Sequence, residues 1–316
     1  MLRYFVSVLR DHRWLLASTA VAPAVWGTTY LVTTELLPDD RPLLAAVARA
    51  LPAGLLLLAV TRRLPRGVWW WRALVLGALN IGGFFALLFV AAHRLPGGVA
   101  ATLGAVQPLL VVVLAAGLLG EAVTRRRVLA GALGAGGVAL LVLRAEALLD
   151  PVGVAAALGG AVAMALGVVL TGRWGRPVPL LALTAWQLTA GGLLLLPLAL
   201  AVEGPPPALD APAVIGYGYL TTVGTALAYA LWFRGITTLP VASTAFLGLL
   251  SPVVATAAGW AVLGQDLTGA QLLGAAVVLA AVLTAQTAAA RPARLPTSGT
   301  PGPAAAALAG RGGPAR

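Results

Sequence analysis

From Trp14 to Ala288 the chain is a series of apolar runs, each close to the ~20 residues an α-helix needs to cross a bilayer core. The runs cover 14–37, 43–61, 72–92, 97–120, 127–143, 151–172, 179–201, 211–233, 240–264 and 268–288, and Arg, Pro or acidic residues bound them. This pattern predicts an all-α membrane protein of ten transmembrane helices. Composition agrees: 60% of the 316 residues are hydrophobic and 10% are charged, with a mean hydropathy of +0.94. A soluble domain carries roughly a quarter charged residues, so this apolar surface is expected to meet a lipid bilayer.

The net charge of +11 would suggest a nucleic-acid partner in a soluble protein. Here all 21 basic residues are Arg and most sit in short loops between apolar runs, which is the positive-inside pattern. No nucleic-acid partner is expected. With the N-terminus inside, seventeen arginines fall on the cytoplasmic side and Arg41, Arg94 and Arg144 fall outside, leaving Arg49 within a span. The expected placement is therefore multi-pass in the cytoplasmic membrane with both termini cytoplasmic. Arg3, Arg10 and Arg13 precede a first run too long for a signal-peptide core, so it reads as an uncleaved span. Residues 289–316, rich in Pro, Gly and Ala, read as a disordered cytoplasmic tail. The absence of Cys excludes disulfides, thiolate metal sites and Cys nucleophiles. His12 and His93 lie at expected helix ends, and neither a metal nor another cofactor is expected.

The chain repeats itself. Leu95-Pro96, Pro108 and Leu119-Gly120-Glu121 recur as Leu239-Pro240, Pro252 and Leu263-Gly264-Gln265, all at an offset of 144. Phe85 and Phe89 fall on Tyr229 and Phe233 at the same offset. Arg49 and the 53–58 run match Gln187 and the 191–196 run at an offset of 138, and Trp26-Gly27 matches Leu166-Gly167 at 140. The repeats are expected over 14–143 and 151–288, five spans each. An odd number of spans inserts the second repeat upside down, and inverted repeats are typical of secondary transporters.

Over roughly residues 14–288 the sequence resembles the EamA-type ten-helix members of the drug/metabolite transporter superfamily. The resemblance rests on Trp26-Gly27, Arg49, Pro108 with Gly120-Glu121, Leu129-Ala130-Gly131 and Trp186-Gln187. It implies a pseudo-symmetric bundle with cytoplasmic termini that exports amino acids, other metabolites or drugs. Gln265 departs from the pattern, standing where a second Glu would be expected, which makes the halves unequal.

Polar groups deep in a span are costly unless they face a cavity or a partner. On that ground Trp26, Thr29, Arg49, Asn80, Gln107, Thr222 and Ser251 are the candidate substrate-binding residues. Gln107-Pro108 and Ser251-Pro252 are repeat equivalents. Each Pro removes a backbone donor and frees the carbonyl one turn earlier, which predicts a paired polar notch at the centre. The plainer readings are that Thr hydroxyls bond their own preceding turn, that Pro only kinks a span and that Trp26 only packs. An amide such as Asn80 or Gln107 needs a partner in lipid.

Arg49 lies about 10 Å below the outer end of its span at 1.5 Å per residue. It can snorkel outward, pair with Glu35, or meet a substrate carboxylate, and the last reading implies an anionic or zwitterionic small-molecule substrate. Glu121, beside Arg125, Arg126 and Arg127, reads as a cap or loop salt bridge, with a gate or proton-coupling acid as the alternative. Glu35, Glu121, Pro108 and Pro252 are the coupling or gating candidates. Small-residue pairs such as Gly131/Ala135 and Ala270/Gly274 predict that spans five and ten pack together or support a homodimer.

The competing class is an intramembrane enzyme acting on a lipid or isoprenoid. A Mg²⁺-diphosphate site would want paired acidic motifs, and Asp39-Asp40 is the one acidic pair. No span carries a protease-like constellation, so no enzymatic activity is expected. The function expected is movement of a small amino-acid-like or drug-like solute across the membrane.

Overall fold

The computed structural model describes residues 2–38, 41–94, 103–142 and 150–289. The Asp39-Asp40 pair, Leu95-Pro96, Arg144 and residues 290–316 of the expected tail lie outside the described residues, as does the side chain of His93.

Among the described residues every regular element is helical. In chain order they are α1 (Leu2–Leu36), α2 (Pro42–Thr61), α3 (Trp69–Gly77), α4 (Gly83–Arg94), α5 (Gln107–Leu119), α6 (Arg125–Val142), α7 (Pro151–Trp174), α8 (Leu180–Glu203), α9 (Ala211–Thr221), α10 (Ala228–Thr238), α11 (Val241–Leu247), α12 (Leu250–Leu263) and α13 (Gly269–Ala289). A π-turn, Ala78–Gly82, joins α3 to α4, and a second, Thr222–Leu227, joins α9 to α10. The second π-turn begins 144 residues after the first, at the offset already read in the sequence.

Among the described residues, eight helical stretches are long and apolar enough to cross a membrane. Gln107–Leu119 is apolar but shorter, because the start of the expected span 97–120 falls on residues outside the description. Helix α6 opens on three arginines within its 18 residues.

Local chemistry sets the helix ends. Asp150 and Asp210 cap α7 and α9 by accepting the N–H groups of Gly153 (2.7 Å) and Ala213 (2.9 Å), with Pro in the first turn of each helix. Helices α5 and α12 stop at Gly120 (φ 70°) and Gly264 (φ 64°), where glycine takes the left-handed backbone without steric cost.

The two proline spans differ from the sequence expectation. Pro108 and Pro252 do not kink continuous helices. Each sits in the first turn of α5 or α12, directly after a break. At Leu103–Val106 and Gly248–Leu249 the backbone turns through three-residue hydrogen bonds, among them Val106 N–H to Leu103 (3.3 Å) and Ser251 N–H to Gly248 (3.1 Å). The physical reason is positional: a proline in the first helical turn lacks an N–H that had no intrahelical partner anyway.

Helices pair across the two halves of the chain. α2 runs along α8, α6 along α13, α1 against α10 and α12, and α7 against α4 and α5. Small residues set the approach, since lipid offers no hydrophobic drive between helices. A Cβ built on Gly54 would lie 2.5 Å from Thr189 N, and one on Gly192 would lie 2.9 Å from Leu51 N. Likewise a Cβ on Gly274 would meet the Gly137 carbonyl at 2.7 Å. Thus α6 and α13 do pack together, where the glycine-rich runs predict it. The main core holds Phe85, Tyr229, Trp232, Phe233 and Phe246, contributed by α4, α10 and α11.

Candidate functional site

The π-turn at Thr222–Leu227 organises a polar node. In a regular α-helix the Ala228 N–H would bond the Gly224 carbonyl; here it turns to Val223 and Thr225. The Gly224 carbonyl instead accepts Trp26 Nε1–H from α1 (3.2 Å) and an Arg49 NH2 hydrogen from α2 (3.3 Å). Arg49 Nε–H donates to Thr225 Oγ1 at 3.2 Å, and the guanidinium lies 5.0 Å above the Phe85 ring. Thr225 and Phe85 are buried, whereas Arg49 and Trp26 are half-buried.

Aromatic rings complete the surroundings. Trp26 packs on Tyr229 (5.0 Å between centroids) and edge-on to Trp232 (5.3 Å). Thr28 Oγ1 and the Tyr219 hydroxyl share a 2.6 Å hydrogen bond, and Thr221 Oγ1 donates to the Ala48 carbonyl. The node is a half-buried cation in an aromatic frame, built where α1 and α2 meet α9 and α10. Chemically it suits an anion with an apolar or planar body.

A second polar node lies at the other π-turn. Asn80, with no exposed surface, donates from Nδ2 to Gln187 Oε1 on α8 (2.8 Å) and to Thr171 Oγ1 on α7 (3.2 Å). A Cβ on Gly167 would fall 2.2 Å from Asn80 Oδ1, so the amide is packed against bare backbone. The two nodes correspond at the sequence offsets: Gln187 to Arg49, and Asn80 to Gly224. One is sealed and neutral; the other is charged and half-buried.

At one end of the bundle Glu121 joins the two halves of the chain. Its Oε1 accepts the Val241 N–H at the start of α11 (2.8 Å), and its Oε2 lies 3.2 Å from Arg127 NH1. Arg127 also donates to the Ala122 carbonyl (3.0 Å) and reaches Ser243 Oγ (3.5 Å). Sequence reading places Arg127 at the start of the fifth span, beside Arg125 and Arg126, and it is the buried cation among the described residues. Elsewhere Glu203 caps α2, accepting Leu43 N–H (2.6 Å) and Leu44 N–H (2.7 Å).

The structure thus brings Trp26 and Arg49 together and leaves other expected residues apart. Asn80 belongs to the sealed node, with its amide donors taken up by protein. Thr222 is exposed and bonds its own preceding turn at the Gly218 carbonyl (2.7 Å). Gln107 and Ser251 open α5 and α12 after the breaks and are half-buried, and the Ser251 carbonyl lies 2.6 Å from where a Gly27 Cβ would be. Thr29 is half-buried, and its hydroxyl lacks a hydrogen-bond partner among the described residues. Glu35 is exposed near the end of α1, while the acceptors around the Arg49 guanidinium include Thr225 and Gly224. Gly224, Thr225, Tyr219, Tyr229 and Trp232 are the node residues that sequence reading missed. The 144 offset pairs Asn80 with Gly224 and offers one signal, but a glycine contributing a carbonyl escapes any search for polar side chains.

A sequence model of the EamA-like transporter family matches residues 13–143 and 151–286. The chain belongs to this family. Among EamA relatives, Protein PecM of Dickeya dadantii is 46% identical over 250 residues, covering 78% of this chain and 84% of PecM. The chloroplastic WAT1-related protein At3g02690 of Arabidopsis thaliana is 31% identical over 260 residues, covering 76% of this chain and 61% of that protein. The uncharacterized inner membrane transporter YedA of Escherichia coli K12 is 28% identical over 252 residues, 77% of this chain and 81% of YedA. A crystal structure at 22% identity superposes with a TM-score of 0.76 over 88% of this chain and 98% of its own, which supports the fold. The EamA chain described here is therefore an α-helical integral membrane protein of a transporter family.

Proposed function

We propose that the chain is a ten-helix secondary transporter, built as two inverted five-helix repeats. In this reading it exports a small amino-acid-like or drug-like solute across the cytoplasmic membrane by alternating access, with both termini cytoplasmic. The observation that carries the reading is the Gly224 carbonyl shared by Trp26 and Arg49, which places a cation and an aromatic face where helices of the two halves cross. The equal offset of the π-turns and of the broken proline helices supports the inverted repeat. Cross-half pairing of α2 with α8 and α6 with α13 supports it as well.

Arg49 is taken to meet an anionic group of the solute, with Trp26 beneath its apolar part. Thr29, Gln107 and Ser251 line the approach in this reading. Glu121, Pro108 and Pro252 act in gating, since each proline opens a helix after a break and the Glu121 carboxylate caps the start of α11. The test is flux into proteoliposomes of a solute set found by comparing metabolite export from cells with and without the protein. Arg49→Ala is expected to impair flux more than Arg49→Lys, which keeps a charge but not the forked geometry. Near-wild-type flux for both removes Arg49 from the site, and chemical conversion of the solute without net movement replaces transport with catalysis.

A further inference from the structure

Helices α5, α7, α8 and α12 each end on a glycine with positive φ, at Gly120, Gly175, Gly204 and Gly264. Helix α2 does not. Its left-handed end residue is Arg62 (φ 50°, ψ 34°), the one non-glycine with positive φ among the described residues. Its N–H closes the helix onto the Leu58 carbonyl at 2.8 Å. A side chain is strained in this conformation where glycine is not, so Arg62 sits there against local backbone preference.

Arg62 and Arg63 line a surface groove of about 420 Å³ whose other walls are Leu55, Leu58, Ala59 and Leu64. Both guanidiniums are exposed, and residues 58–72 contain four arginines and no acid. The groove is thus cationic at one end and aliphatic at the other. Close in sequence, Trp70 and Trp71 are 58% and 55% exposed, the amphipathic type that sits at headgroup level. The Arg72 guanidinium stacks 5.2 Å from both Trp69 and Trp174. The Trp186 Nε1–H bonds the Arg63 carbonyl at 2.7 Å, fixing the backbone of the cationic end.

We propose that this groove binds an anionic phospholipid. Its phosphate is held between Arg62 and Arg63 and its acyl chain lies along Leu55 and Leu58. Charge complementarity selects the occupant: two guanidiniums in a groove whose lining holds no carboxylate among the described residues match a phosphodiester, and the aliphatic wall matches a chain rather than a soluble anion.

The test uses the full-length protein in phosphatidylcholine nanodiscs, titrated with phosphatidylglycerol of matched acyl chains and read by thermal unfolding. A saturable rise in midpoint is expected, with an apparent affinity at least about tenfold weaker in Arg62→Gly and in Arg63→Gln. Arg62→Gly keeps or raises the midpoint in pure phosphatidylcholine, because glycine relieves the left-handed backbone, so its loss of lipid response is not a loss of fold. Arg66→Gln, in the same loop but outside the groove, retains the response. No rise for the wild type, an equal loss in Arg66→Gln, or the same rise from inorganic phosphate alone would each overturn the proposal.

Discussion

Asn80 and Arg49 show how burial divides residues that look alike in a sequence. Both are polar groups inside apolar runs, and both are expected to line a cavity. Asn80 has no exposed surface and spends its donors on Gln187 and Thr171; Arg49 is half-buried, its guanidinium over the Phe85 ring and bonded to a backbone carbonyl. Asn80→Ala therefore strands Gln187 Oε1 and is expected to cost about 1–3 kcal/mol of stability. Adding Gln187→Leu costs less than the sum of the singles, because the two groups share one bond; thermal unfolding in detergent reads the cycle. Flux per folded molecule stays close to wild type in these variants. Arg49 and Trp26 were legible as site candidates because a charge and an indole inside lipid demand partners. Their acceptor was not, because a main-chain carbonyl has no letter in the sequence.

Among helices, the connection at Glu121 ties the two halves of the chain together. The seven-residue α11 has no side-chain cap of its own, and the Glu121 carboxylate takes the Val241 N–H in its place. Glu121→Gln keeps that acceptor but leaves the Arg127 guanidinium buried without its counter-ion, at an expected cost of about 3 kcal/mol. Glu121→Gln with Arg127→Met recovers most of this loss, measured as the unfolding midpoint. The cap or salt-bridge reading of Glu121 came directly from its arginine neighbours. Neither the π-turns nor the breaks before Pro108 and Pro252 could be read so locally. A π-turn adds one residue without disturbing an all-round apolar pattern, and a proline kink and a proline helix start share one sequence.

At the scale of the molecule, run length and arginine placement made the helical membrane architecture legible, because apolar length and loop charge act additively and need no tertiary context. The pairing of helices across the halves rests on glycines whose partners are distant in sequence, so only the glycine-rich runs hinted at it. The proposed orientation has a clean test in a chain without cysteine. In intact cells, a membrane-impermeant maleimide is expected to label Ala208→Cys at once and Val123→Cys only after permeabilisation. The opposite pattern would place both termini outside.

The carbonyl at Gly224 is presented by the extra residue that a π-turn carries relative to an α-helix. Its position is a matter of counting rather than of chemistry. Removing one residue of 222–227 other than Gly224 and Thr225 would let the helix close regularly. The Gly224 carbonyl would be drawn back into the ladder, while the helices on either side of the turn kept their register. Trp26 and Arg49 would lose their shared acceptor, although the helices that carry them had not moved. The node is thus tuned by chain length: it tolerates a change of letter at 224 more readily than a change in the number of letters around it.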